Sequence, residues 1–241
     1  VNRAQARKVN AAVVTFDPHP KHVLDRSPEK LPLIMNMDQK LEILHSLGLG
    51  KVLIIPFTLR FSRMEAKEFM DNVILPNFKP QFIVAGYNHH FGHKRKGGPE
   101  FLKEYCHEHG IGLEITEPVK DGDAVISSTH IRTLIQNGYL RRANFELGSF
   151  FGFMAKVVRG SGRGKGLDFP TANLNPLGEN HLMPKPGVYF TRGRIDGLHL
   201  YGMCNFGVRP TFEEKELVLE VHFFYDDLDD IYGKVIWVEF L

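Results

Sequence analysis

Helical periodicity runs through the first part of this chain and stops near residue 148, and no other feature constrains the fold as strongly. Before that point, short apolar runs alternate with helix-like segments. AAVVTF (11–16), KVLIIPF (51–57) and QFIVAG (81–86) are rich in β-branched residues and bounded by Pro or Gly, as buried strands are. Between them, MDQKLEILHSLG and MEAKEFMDNVIL carry apolar residues three and four apart, and Gly48 stands where a helix would stop. Strands alternating with helices predict a parallel sheet covered on both faces, with ligands beyond the carboxyl ends of its strands.

From about residue 149 the period changes to two. FGFMAKVVRG, GVYFTRGRI, HLYGMCNFG, LVLEVHFFY and KVIWVEFL are short runs separated by Gly, Pro, Asp and Asn. Five or six such strands in about 90 residues predict a small antiparallel barrel. The expected organisation is an α/β domain over 1–148 and an all-β domain over 149–241, joined at the short LGSFFGF junction.

The 241 residues suit one large domain or two ordinary ones, and 43% hydrophobic with 24% charged residues implies a folded core. No window approaches a membrane span, and no secretory segment opens the chain. Cys106 and Cys204 are too few for a disulfide framework, so a reduced, cytoplasmic setting is expected. The chain starts at Val1 in a helix-like stretch and stops at Leu241 in a strand-like run. Both natural ends are therefore expected to lie outside it.

Charge is unevenly spread. Residues 1–148 hold 20 Lys and Arg against 16 Asp and Glu, and the remainder holds 10 against 12. Lys156, Arg159, Arg163 and Lys165 stand together, whereas eight carboxylates fall between Glu213 and Asp230. One basic loop and one acidic stretch in a small domain suit a polyphosphate with a divalent cation. Ordinary clustering on a solvated surface is the alternative.

The basic loop belongs to RGSGRGKGLDFPTANL, residues 159–174. Gly160, Gly162, Gly164 and Gly166 alternate with Ser161, Arg163 and Lys165, so backbone N–H groups can converge on a phosphate. The spacing matches neither the Walker A nor the Rossmann loop. Pro170 then fixes an extended chain in which Thr171 and Asn173 point to one side. A hydroxyl and a carboxamide oxygen are hard ligands suited to Mg²⁺ held by nucleotide phosphates. A Thr/Asn turn satisfying its own backbone fits the same residues. In LVLEVHFFY, Leu219, Val221 and Phe223 share one face and Glu220 and His222 the other. Glu220 could serve there as a general base for an alcohol, or stand as a solvated strand glutamate.

In the first half, VVTFDPHP ends a strand with Asp17 and His19, and VAGYNHHFGHKRKGG follows another. Ser127, Ser128 and Thr129 sit where a helix N-terminus would offer N–H groups to a phosphate, with Arg132 one turn on. Taken alone, these residues favour the alternative, a plain N-cap with a surface arginine.

Taken together, GSGRGKGLDFPTANL, PKPGVYFTRGRI, CNFGVRPTF and LEVHFFYDDLDDIYGKVIWVEFL resemble the riboflavin kinase module of bacterial bifunctional riboflavin kinase/FAD synthetases. The blocks T-F-D-P-H-P, G-Y-N-x-x-F-G and S-S-T-x-I-R resemble the amino-terminal nucleotidyltransferase domain of the same family. The resemblance implies a Rossmann-like α/β domain followed by a six-stranded Greek-key barrel. It implies phosphorylation of riboflavin by ATP to FMN, then adenylylation of FMN to FAD with release of pyrophosphate. By that resemblance, Gly160, Gly162, Arg163, Gly164, Lys165 and Pro170 cover the phosphates, Thr171 and Asn173 hold Mg·ATP, and Glu220 activates the ribityl hydroxyl. Asn88, Ser127, Ser128, Thr129 and Arg132 would bind nucleotide in the other half.

The expected partners are ATP, riboflavin and FMN, with neither nucleic acid nor membrane among them. Asp168 replaces a glycine usual in the family, and Asn88 replaces a common aspartate. The family's G-x-F-D-G-x-H-x-G-H signature belongs just before Val1. If the natural protein lacks it, the expectation becomes a riboflavin kinase with a non-catalytic α/β half.

Overall fold

The computed structural model describes residues 1–27, 29–159, 171–195, 197–210, 215–225 and 231–241. By contacts the chain divides into two compact units. Val1–Leu31 and Leu41–Val125 form the first, and Pro32–Lys40 with Ile126–Leu241 the second.

The helices and strands up to Val125 are α1 (Asn2–Ala6), β1 (Ala12–Asp17), α2 (Pro20–Leu24), α3 (Met37–Ser46), β2 (Lys51–Pro56), α4 (Ala66–Phe69), α5 (Leu75–Phe78), β3 (Phe82–Gly86), α6 (Pro99–Glu108), β4 (Gly112–Thr116), β5 (Lys120–Asp121) and β6 (Ala124–Val125). β1 and β2 run parallel, Ala12 opposite Lys51 through Asp17 opposite Pro56. β3 and β4 do likewise, Phe82 opposite Gly112 through Gly86 opposite Thr116. The parallel sheet is thus built as two two-stranded pairs, and Ile55, Ala85, Phe69, Met70, Leu102 and Tyr105 join them in one core. Coverage differs from expectation. Ile55 and Ala85 are buried, but their neighbours Ile54 and Val84 are 40% and 56% exposed. A continuous apolar run reads the same whether one face or both are covered, so the sequence could not separate these cases.

The helix expected over MEAKEFMDNVIL is broken. α4 passes into a wide π turn over Met70–Ile74 before α5 resumes. Pro76 explains the break: it has no N–H to donate, and its ring crowds the carbonyl four residues earlier.

In the second unit, α7 (Ser128–Gln136) and α8 (Leu140–Leu147) precede six strands: β7 (Phe151–Arg159), β8 (Ala172–Pro176), β9 (Gly187–Ile195), β10 (Leu198–Pro210), β11 (Lys215–Phe223) and β12 (Val235–Phe240). They close an antiparallel barrel in the order β10-β11-β8-β7-β12-β9. β9, β10 and β11 form a meander, β12 returns beside β9, and β8 lies beside β11, which is Greek-key connectivity. Alternate residues fill the interior, among them Phe153, Val157, Ala172, Leu174, Cys204, Leu219, Val221, Phe223, Val238 and Phe240. Each fully buried phenylalanine contributes about 2–3 kcal/mol.

The same core takes Ile131 and Ile135 of α7 and Leu140 and Ala143 of α8. Two buried amides tie surrounding segments to the strands. Gln39 donates to the Gly152 carbonyl at 2.9 Å. Asn144 donates to the Phe240 carbonyl and accepts from the Phe151 N–H, both at 2.7 Å. Gly152 is required where β7 meets β12, since a Cβ there would lie 2.2 Å from the Val238 carbonyl oxygen.

Candidate functional site

Strand alternation puts the polar residues of PTAN and LVLEVHFFY on the outside of the barrel. Ala172 and Leu174 point inward and are buried, leaving Asn173 outward, and Leu219 and Val221 do the same for Glu220. The ladder then aligns them. Glu220 is paired with Asn173 on one side and with Asn205 of β10 on the other. Val158 of β7 completes the row beyond Asn173. A carboxylate and two carboxamides thus occupy neighbouring positions on three strands.

Asn173 Oδ1 is the telling atom. It is buried, yet it has no hydrogen-bond partner among the described residues. A buried carbonyl oxygen left unpaired costs about 1–3 kcal/mol. An atom of that kind, a hard oxygen beside a carboxylate, suits a hard divalent cation. Thr171 stands just ahead of β8, half-buried, and its backbone carbonyl accepts from the Tyr232 hydroxyl at 3.5 Å. Gly160, Gly162, Arg163, Gly164, Lys165 and Pro170 lie outside the described residues.

In the other half, Asn88 is exposed, in the segment that follows β3. Its carbonyl is 2.9 Å from His90 Nδ1. The segment is shaped by Phe91, which pairs with Gly97 and packs its ring against Phe69 and Phe101. Gly92, at φ +70°, lies so close to α4 that a Cβ would come within 2.7 Å of Ala66 Cα. Beyond it, Lys94 and Arg95 take left-handed backbone angles and are exposed with Lys96. His89 is drawn below the usual imidazole range by burial and by His90 nearby.

Ser127 is the N-cap of α7, its Oγ accepting from the His130 N–H at 3.2 Å. Ser128 and Thr129 are exposed in the first turn, and the Thr129 carbonyl accepts from Thr133 Oγ1. Arg132 is half-buried, donates from Nε to the Pro32 carbonyl at 2.8 Å, and is lowered from its usual range by burial. The first two turns of α7 therefore carry both a structural cap and an anchored guanidinium. These residues pack with the barrel unit, whereas Asn88 belongs to the first unit.

Two side chains at the barrel site were not singled out from sequence. Asn205 was readable in part, because alternation in HLYGMCNFG puts it on the face opposite Cys204 and Phe206. Tyr232 was not, because its contact with Thr171 spans 61 residues.

Comparison with known proteins places both halves. The family model described as FAD synthetase matches residues 1–130, and the one described as riboflavin kinase matches residues 147–241. The bifunctional riboflavin kinase/FMN adenylyltransferase of Bacillus subtilis is 33% identical over 239 residues, covering 98% of this chain and 74% of that protein. Its counterpart in Escherichia coli K12 is 31% identical, covering 96% and 73%. A Streptococcus pneumoniae crystal structure described as a macrolide-efflux protein superposes with a TM-score of 0.89 at 31% identity. It covers all of this chain and 77% of that one. In this chain, no helix among the described residues is long and apolar enough to cross a membrane. With both halves matched in order and nearly the whole length aligned, the chain belongs to the bifunctional riboflavin kinase/FMN adenylyltransferase family.

Proposed function

We propose that this chain makes flavin cofactors in two ATP-dependent steps. The barrel half phosphorylates riboflavin to FMN. The α/β half adenylylates FMN to FAD and releases pyrophosphate. Family models matching both halves, and relatives named for both activities, favour two catalysts over a kinase with an inert α/β half. In functional terms the division falls at 148/149, although α7 and α8 share the barrel core.

The observation that carries the kinase step is the outward row in which Glu220 faces Asn173. Glu220 takes the proton of the ribityl 5′-hydroxyl as its oxygen attacks the γ-phosphorus of ATP. The bond from that phosphorus to the β,γ-bridging oxygen breaks, and ADP leaves. Asn173 and Thr171 orient the phosphates so that the attacking and leaving oxygens stand in line. The same two residues would hold Mg²⁺, which when bound neutralises charge on the phosphates. By the family resemblance, the residues from Gly160 through Lys165, which lie outside the described residues, would bind the same phosphates.

For adenylylation, the assigned residues are Asn88 on the loop fixed by Gly92, and Ser127, Ser128, Thr129 and Arg132 at the start of α7. The free N–H groups of that first turn favour phosphate. A cytoplasmic setting suits two buried free cysteines, Cys106 and Cys204.

Product analysis tests the reading. Incubated with riboflavin, ATP and Mg²⁺, the full protein is expected to yield FMN and then FAD. FMN alone would reduce the α/β half to a scaffold, and neither product would end the proposal.

A further inference from the structure

We propose that Tyr232 is a positioning residue for riboflavin phosphorylation, one side chain that holds both stems of the glycine-rich segment. The inference rests on the kinase reading above. Arg159 ends β7 and Thr171 precedes β8, so these residues flank the segment on either side. The Tyr232 ring lies beneath the Arg159 guanidinium, whose Cζ is 4.8 Å from the ring centroid. The Tyr232 hydroxyl donates to the Thr171 carbonyl at 3.5 Å. Arg159 and Ala172 are already paired across the ladder, so Tyr232 adds a second tie at the same level.

Tyr232 can do this because its own backbone is fixed. Ile231 before it is buried in the barrel core. After it, the Gly233 N–H donates to the Val157 carbonyl at 2.8 Å, and the Val157 N–H donates to the Lys234 carbonyl at 2.9 Å. Lys234 N–H returns to the Ile231 carbonyl at 3.1 Å, closing the turn. Tyr232 is therefore anchored to β7 two residues ahead of Arg159, and its half-buried side chain packs against the core. A hydroxyl contact at 3.5 Å is weak alone, and the guanidinium over the ring reinforces it. Tyr232 acts through Thr171: holding that carbonyl fixes the residue that leads into Asn173.

The test uses steady-state kinetics of FMN formation by the whole chain. Tyr232→Phe keeps the ring and loses the hydroxyl, and Tyr232→Leu loses both. The KM for ATP is expected to rise about two-fold in the first and more than about five-fold in the second. The KM for riboflavin stays near wild type in both variants, and the melting temperature stays near wild type in Tyr232→Phe. Arg159→Lys keeps a cation over the ring and is expected to hold the ATP KM closer to wild type than Arg159→Met does. Should Tyr232→Leu fail to fold, Tyr232→Phe and the Arg159 pair carry the test.

An unchanged ATP KM across these variants, with normal FMN formation, would overturn the positioning role and leave the kinase reading standing. Equal rises in both KM values with a falling melting temperature would also overturn it, marking Tyr232 as structural only. No FMN from the wild-type chain would remove the kinase reading and this inference together.

Discussion

Glu220 of β11 lies directly across the ladder from Asn173 of β8, which sets a carboxylate beside a buried carboxamide oxygen that has no partner among the described residues. The ladder enforces this pairing, since flanking residues on both strands fill the barrel interior. Slipping either strand by one residue would exchange Asn173 or Glu220 with a core side chain.

Asn173→Ala should separate function from stability. The loss of an oxygen suited to the cation held by the phosphates is expected to lower FMN formation by at least about ten-fold. The melting temperature without nucleotide should stay level or rise, because the variant removes a buried oxygen that costs about 1–3 kcal/mol unpaired. A clear fall in melting temperature with full activity would mean that Asn173 serves the fold alone.

Gly92→Ala should act on the other half. An added Cβ would press on Ala66 at the start of α4, and φ +70° already disfavours any side chain. The strain is about 1–3 kcal/mol, and the segment from Asn88 to Arg95 must shift to relieve it. FAD formation from FMN is expected to fall while FMN formation from riboflavin holds. Equal loss of both activities would point to global unfolding instead.

Acid sensitivity of the first unit should trace to Asp71. Its carboxyl is held below the usual carboxylate range, first by the Lys67 ammonium and then by the Tyr105 hydroxyl. Those donors lie at 2.6 and 2.5 Å. A depressed folded value means that the stability is present above the unfolded value and is lost as pH falls through the folded one. Thermal stability should therefore weaken below about pH 4. In Asp71→Asn that acid limb should be shallower, and an identical limb would assign it to other groups.

What was legible in the sequence was local. The period of two from Phe151 onward and the alternation around Glu220 need only near neighbours, so the barrel and the outward carboxylate could be read directly. The Ser127 cap was equally local. The tie from Arg132 to Pro32 spans 100 residues and the Tyr232 contact 61, and no local pattern carries such pairings. Pro76 offered a readable warning of the break between α4 and α5, because a missing N–H acts within one turn. The uncovered strand faces at Ile54 and Val84 had no such marker, since apolar runs look alike however many faces are buried.

The role of Glu220 is tested most simply by FMN formation from riboflavin and ATP in Glu220→Gln beside wild type. Glutamine keeps the shape and loses the proton acceptor. If Glu220 is the general base, kcat falls about 10²- to 10⁴-fold with the melting temperature unchanged. A variant that makes FMN at the wild-type rate would mean that the outward row on the barrel is not the site of phosphoryl transfer.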